Sequence, residues 1–285
     1  LHDVYRALLA ARQVRGAVDF ETVETQIVCD ESGRIEKIVP RTRNDAHKLI
    51  EEAMLAANVC SADFIGQSKH AGLFRVHEGP TPEKQEVLRN YLKAMGLPYT
   101  ISDEPHPSEF QQIASATKDR PEAQQIHTML LRSMQQAIYT PINSGHFGLA
   151  FEAYTHFTSP IRRYPDLLVH RVIKSILTGK RYQLPALPTP GEAHAKLSKR
   201  LASRAPTPTQ APKKLSADTQ AWQAAGLHCS ANERRADEAS RDVEAWLKCK
   251  YMRGHLGEEF SGVVTAATSF GLFVTLDAMY VEGLV

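Results

Sequence analysis

Residues 146–171 read HFGLAFEAYTHFTSPIRRYPDLLVHR. The first twelve are aromatic and partly alternating, which is the pattern of a strand. Ser159-Pro160 then turns the chain, and Arg162 and Arg163 follow. Tyr164-Pro165-Asp166 opens a helix whose apolar spacing continues to Leu177. Two arginines beside a helix N-terminus suit a phosphate, because guanidinium forks match its oxygens and free backbone N–H groups add to the field. Phe147, Tyr154, Phe157 and Tyr164 bring flat π-faces close to that cationic site, as the stacking of unpaired bases requires. An arginine paired structurally with Asp166 or another acid accounts for the same pattern, and the pattern by itself leaves the two readings level.

Upstream of this block, Val4, Leu8 and Leu9 repeat at helical spacing. Residues 20–28 and 35–39 alternate on either side of an Asp-Glu-Ser-Gly turn, which predicts a hairpin. Asn44-Asp45 caps a helix with Leu49, Ile50, Ala53, Met54, Ala57 and Phe64 on its apolar face. Gly72 to His77 reads as a strand, and residues 82–95 and 108–117 as helices. Pro121 opens another helix, with Ile126, Leu130, Met134 and Ile138 spaced by four.

Downstream, residues 180–217 hold six prolines and a net charge of +7, against −5 for the rest of the chain. Such a segment buries too little surface to offset its ordering entropy, so a mobile basic insertion is expected. Asn232 is read as the cap of a helix with Ala236, Ala239, Val243 and Trp246/Leu247 inward. From Glu258 the period changes to two, giving two strands and the start of a third, the front of a small barrel.

The 285 residues are 42% apolar and 23% charged, as in a globular protein. No apolar run reaches the length of a membrane span, and no basic segment followed by an apolar stretch marks a signal peptide. Cys29, Cys60, Cys229 and Cys249 lie far apart, so a reducing, cytoplasmic setting is expected rather than a disulfide framework or zinc knuckle. Cys60 and Cys249 are read as core or half-buried thiols. His47, His77 and His127 have no partner at metal-ligand spacing and are read as structural or surface histidines. Glu51-Glu52 and Asp237-Glu238 read as solvated or salt-bridged faces. The chain starts at Leu1 within a helical pattern and stops at Val285 within an alternating run, so an internal piece of a longer protein is expected.

The block at 146–171 resembles the signature of the RNase II/RNase R exoribonucleases, in the C-terminal half of their RNB catalytic domain. RNDAHKLIEEAMLAAN at 43–58, LFRVHEGP at 73–80, TMLLRSMQQAIY at 128–139 and HCSANERRADEASRDVEAWLKC at 228–249 agree in the same order. The tail, with SFGLFVTL at 269–276, is similar to the start of the OB-fold module that follows that domain. The resemblance covers nearly the whole chain except residues 180–217. It implies an α+β fold, helices packed on a mixed or antiparallel sheet over residues 1–252, followed by a truncated OB-fold barrel over 253–285.

In function, the resemblance implies a processive 3′–5′ exoribonuclease that hydrolyses single-stranded RNA to nucleoside 5′-monophosphates with Mg²⁺ or Mn²⁺. The family's metal ligands form a D-x-x-x-x-D-x-D-D cluster that this sequence lacks, so the fragment alone is expected to be inactive. Arg162 matches the family arginine at the scissile phosphate, with Arg163 as the second candidate. Tyr164 and His156 would support the site. Phe147 and Tyr154 would line the RNA, Phe74 would stack a base near the 3′ end, and Phe270 and Phe273 would stack bases on the OB-like face. At most one of those last two can serve each face of a strand. A monomer with single-stranded RNA as partner, away from membranes, is expected. The alternative is a non-catalytic RNA-binding protein of the same fold.

Overall fold

The computed structural model describes residues 1–19, 24–68, 70–185, 195–197, 199–200, 216–277 and 279–285. Its elements run α1 (His2–Arg15), β1 (Thr25–Cys29), β2 (Ile35–Pro40), α2 (Asp45–Gly66), β3 (Phe74–Val76), α3 (Pro82–Ala94), α4 (Pro107–Thr117), α5 (Ala123–Ser133), β4 (Ile138–Thr140), α6 (Tyr164–Leu177), α7 (Ala217–Met252), β5 (Gly262–Thr268), β6 (Gly271–Leu276) and β7 (Glu282–Leu284). The chain forms two compact units, Leu1–Phe20 with Asp45–Arg234, and Glu21–Asn44 with Arg235–Val285. In the second unit the β1–β2 hairpin groups with the C-terminal half of α7, where Thr25 Oγ1 donates to Glu244 Oε1 at 3.1 Å. The fold is mixed α and β, and its ladders are antiparallel: β1–β2, β3–β4 and the meander β5–β6–β7. The meander is consistent with the opening strands of an OB fold. No helix among the described residues is long and apolar enough to cross a membrane.

The first unit has two apolar cores. One gathers Ile65 of α2, Val76 of β3, Tyr139 of β4, Leu168 and Val172 of α6, and Trp222 of α7. The other joins Leu88 and Leu92 of α3, Phe110 and Ile113 of α4, and Ile126 and Leu130 of α5. Helices α3, α4 and α5 turn an apolar stripe at helical spacing towards the second core. Thr81 caps α3, accepting from Lys84 N–H through its hydroxyl, and His106 with Glu109 forms a capping box on α4.

The structure departs from the expected elements in four places. Residues 146–157 are not a strand. They form a 3₁₀ turn at Phe147–Leu149 and two isolated bridges, because Gly145 (φ 79°) and Ala150 (φ 54°) take left-handed backbone that no strand accepts. Helix α5 stops at Ser133, so Met134 is already extended and Ile138 sits in β4 opposite Val76. Helix α2 turns inward along Glu52, Asn58, Ser61, Ala62 and Ile65, leaving Ile50 and Phe64 exposed. Helix α7 begins fifteen residues ahead of the expected cap, where the Ser216 hydroxyl accepts from Thr219 N–H at 3.1 Å. Asn232 is therefore interior to the helix and pairs with His228 at 3.0 Å, and Val243 and Trp246 are exposed. Cys60 and Cys249 are exposed as well, and Cys229 is buried. Most of the expected mobile insertion at 180–217 lies outside the described residues. Its described start packs Tyr182 and Leu184 against the first core.

Helix α7 lies directly on β4. Tyr139 N–H donates to Ser230 Oγ at 2.9 Å, and Ser230 Oγ donates to the Gly226 carbonyl at 2.8 Å. A Cβ at Gly226 would collide with the carbonyl oxygen of Tyr139, which is backbone and cannot yield cheaply. Gly226→Ala should therefore destabilise the first unit by about 2 kcal/mol or more, the cost of overpacking a closed contact. Chemical denaturation of the variant measures it, and an unchanged midpoint would show that helix and strand are not in such close contact.

Candidate functional site

The site grows from the segment between β4 and α6. Arg75 N–H in β3 donates to the Tyr154 carbonyl at 2.8 Å, and Thr155 Oγ1 donates to the Leu73 carbonyl at 2.6 Å, tying the segment to β3. From α2, the buried Asn58 reaches over. Its Oδ1 accepts from Phe157 N–H at 2.9 Å and Thr158 N–H at 3.3 Å, and its Nδ2 donates to the Tyr154 hydroxyl at 2.9 Å. The next N–H, that of Ser159, donates to Asp166 Oδ1 at 2.7 Å. The Ser159 carbonyl then accepts from Arg162 N–H and Arg163 N–H at 3.3 and 3.0 Å, closing a tight turn ahead of α6. Pro165 in the first turn of α6 suits its fixed φ.

The turn separates the two arginines. Arg163 Nη2 donates to Asp166 Oδ1 at 2.8 Å, and Asp166 has no exposed surface. Arg163 is thus paired with a buried carboxylate. Arg162 is exposed at the apex and makes no salt bridge among the described residues. Its neighbour Ile161 is fully exposed. Tyr164, at 40% exposure, stands at the start of the helix beside them.

Beneath the turn lies a network of aromatic and imidazole rings. The Tyr139 hydroxyl is 2.8 Å from His156 Nδ1 and 3.4 Å from Glu233 Oε1. Arg75 donates to Glu233 Oε2 at 2.7 Å and lies over the Tyr139 ring at 4.6 Å. Burial, reinforced by Arg163, Arg75, His146 and Arg162, lowers the His156 pKa to about 2. Burial, then His77 and Arg75, lowers that of His146 to about 3. Burial also pushes the Tyr139 and Tyr154 phenols and the Cys229 thiol upward, the last to about 12. These groups are neutral near pH 7, so His156 is a poor proton acceptor and its part is to hold the Tyr139 hydroxyl. To one side, an open cleft of 680 Å³ is lined by Arg15, His77, His146, Phe147 and Phe151 among others. There Gly148 N–H donates to His77 Nδ1 at 2.9 Å, and the Arg15 guanidinium covers the Phe151 ring at 3.9 Å.

Three aromatic residues expected to face RNA are placed elsewhere. Phe74 is 8% exposed in the first core, and Tyr154 is 5% exposed with its hydroxyl held by Asn58. Phe147 packs on the second core, edge-on to Phe110 at 5.2 Å. Phe74 and Tyr154 are enclosed, and Phe147 is half-buried and also lines the open cleft. In the second unit, Phe270 is exposed in the β5–β6 turn and meets the half-buried Phe273 edge-on at 6.3 Å. Sequence reasoning missed Asn58, Arg75 and Glu233. The available signal was a polar side chain, Asn58, on the helix stripe that carries Ala62 and Ile65, since a polar group there must find a partner. Among the described residues no group of three or more His, Cys, Asp or Glu side chains stands together to hold a metal ion, so the residues present do not fit one.

The RNB domain family matches residues 1–179. The chain is similar to ribonuclease R of Vibrio cholerae serotype O1, with 46% identity over 287 residues that cover 100% of this chain and 32% of the relative. It is similar to ribonuclease R of Escherichia coli K12, with 42% identity over 285 residues, 100% of this chain and 32% of the relative. Among solved structures it is similar to Mycoplasma genitalium RNase R in complex with ribose-methylated single-stranded RNA, with a TM-score of 0.80, 26% identity, and 98% and 40% of the two chains covered. Yeast Ssd1, described as a pseudonuclease, shares the fold with a TM-score of 0.63 at 20% identity over 85% of this chain and 27% of that one. The chain spans about a third of the length of the curated relatives it matches.

The lowered imidazole pKa values set a pH dependence. Between about 3 and 6.5 the unfolded chain protonates His146 and His156 while the native site keeps them neutral. Stability is therefore full above pH 6.5 and falls as pH drops through that window, by at most about 1.4 kcal/mol per pH unit for each histidine. Unfolding free energies measured from pH 7 to pH 4 should show a shallower fall in His156→Gln than in the parent. Equal slopes would mean that His156 titrates normally in the folded state.

Proposed function

Because the chain belongs to the RNB-domain family, we propose that it is part of a 3′–5′ exoribonuclease that hydrolyses single-stranded RNA to nucleoside 5′-monophosphates, with Arg162 as its contact to the scissile phosphate. The observation that carries this reading is the division of labour at the turn. Arg163 is neutralised by buried Asp166, and Arg162 is exposed at the apex without a salt bridge among the described residues. A guanidinium fork there can take two phosphoryl oxygens at once. As the attacking oxygen adds and the leaving ribose oxygen departs, negative charge grows on those oxygens, and a fixed cation already aimed at them stabilises the transition state more than the ground state. Tyr164 offers a half-open ring next to the arginine for a ribose or base. Neutral His156 orients Tyr139 and moves no proton.

The divalent ions that the family resemblance implies, Mg²⁺ or Mn²⁺, find no ligand set among the described residues, and no step here runs through them. Their aspartates would come from the remainder of a longer protein. The exposed Phe270 of the second unit would stack bases of the incoming strand. We place the whole protein in the cytoplasm as a monomer.

The chain alone should release no nucleoside monophosphate from single-stranded RNA at any Mg²⁺ or Mn²⁺ concentration, and release by the purified fragment would overturn the assignment of the ligands elsewhere. The complete protein should release them. If it binds RNA and never does, it is the RNA-binding alternative. In the complete protein Arg162→Ala should lower kcat by roughly 10²–10³, the usual loss for one preorganised transition-state contact. RNA affinity should change much less, and Arg162→Lys should rescue only in part, since an ammonium lacks the fork. Equal losses in binding and turnover would make Arg162 a ground-state binding residue.

A further inference from the structure

We propose that Asn58 and Asp166 are positioning residues for Arg162, acting together on three consecutive backbone N–H groups at the base of its turn. This inference rests on the reading of Arg162 as the phosphate contact. Asn58 Oδ1 holds the N–H groups of Phe157 and Thr158, and Asp166 Oδ1 holds that of Ser159. The two side chains come from α2 and α6. Both are buried, at 3% and 0% exposure, where water cannot substitute for them.

His170 of α6 adds a further hold on Phe157, its Nε2 lying 2.9 Å from the Phe157 carbonyl and its ring stacked on the Phe157 ring at 4.1 Å. Among the described residues the Thr158 hydroxyl, Arg163 Nε and Asp166 Oδ2 are buried without hydrogen-bond partners. The carboxylate therefore works through a single oxygen, which accepts from Ser159 N–H and Arg163 Nη2 together. Asn58 is also anchored, because its amide donates to the Tyr154 hydroxyl, so the carboxamide cannot swing away from the loop. The geometry thus transmits the rigidity of two helices to the Ser159 carbonyl, and from it to the N–H groups of Arg162 and Arg163. A guanidinium that must meet a phosphate bidentately tolerates little displacement, and a shift of about 1 Å can cost on the order of 10²-fold in rate.

A double-mutant cycle on the complete protein tests this, with release of nucleotides from a single-stranded RNA oligonucleotide as the readout and the concentration of folded enzyme set by RNA titration. Asn58→Ala should lower kcat roughly 10- to 100-fold while KM changes by less than about threefold, the signature of lost transition-state alignment. Combined with Arg162→Ala, it should add almost nothing, because the contact it aligns is already gone. Asp166→Asn keeps an acceptor oxygen for Ser159 N–H while removing the charge that pairs with Arg163, and serves if Asn58→Ala does not fold. It should show a smaller loss in kcat and the same absence of effect without Arg162. Losses that multiply in the double variants would overturn the proposal and make both residues merely structural. If Arg162→Ala alone leaves kcat intact, the parent reading fails, and this one with it. That result is recognisable because it needs neither Asn58 nor Asp166 to be changed.

Discussion

Asp166 is a carboxylate with no exposed surface, and the local structure is arranged to make that tolerable. An isolated buried charge costs several kcal/mol, so it must draw donors to itself. The Ser159 N–H and the Arg163 guanidinium answer at 2.7 and 2.8 Å. Those two bonds fold the Ser-Pro-Ile-Arg stretch back onto the first turn of α6. They also consume one of the two adjacent arginines. The charge left exposed at the turn is that of Arg162.

The same low-dielectric setting governs the rings beneath. His146, His156, Tyr139 and Tyr154 are all held neutral, chiefly by burial. Neutral imidazoles beside Arg75 and Arg162 avoid like-charge repulsion, so the arginines keep their field. The half-buried Glu233 is bound to Arg75 at 2.7 Å. The network acts as a polar floor whose members satisfy one another, which is the condition for placing polar groups in a core at all.

Much of the fold was legible in the sequence. Proline and apolar spacing marked α6, a turn between alternating runs marked the β1–β2 hairpin, and the change of period after Glu258 marked the β5–β7 meander. Apolar spacing was misleading where one residue suited two elements. Ile138 continues the spacing of α5, yet it lies in β4 against Val76, because both arrangements bury it. In α2 the apolar residues at 49, 50, 53 and 54 drew the stripe to the wrong face. The inward face carries Asn58 and Ser61, whose hydrogen bonds compensate a burial that hydrophobicity does not register.

By itself the sequence determined the family, the order of the elements, and the neighbourhood of the site at residues 156–166, since motifs and periodicity are properties of nearby residues. The tertiary structure alone decided which arginine stays free, which aromatic rings are closed off, and what holds the turn. Those outcomes depend on Asn58 meeting Phe157, on Asp166 losing its water, and on Phe74 and Tyr154 being covered by other helices and strands. They are contacts between residues far apart in the chain, and local pattern reports the face a side chain occupies but not the neighbour it finds there.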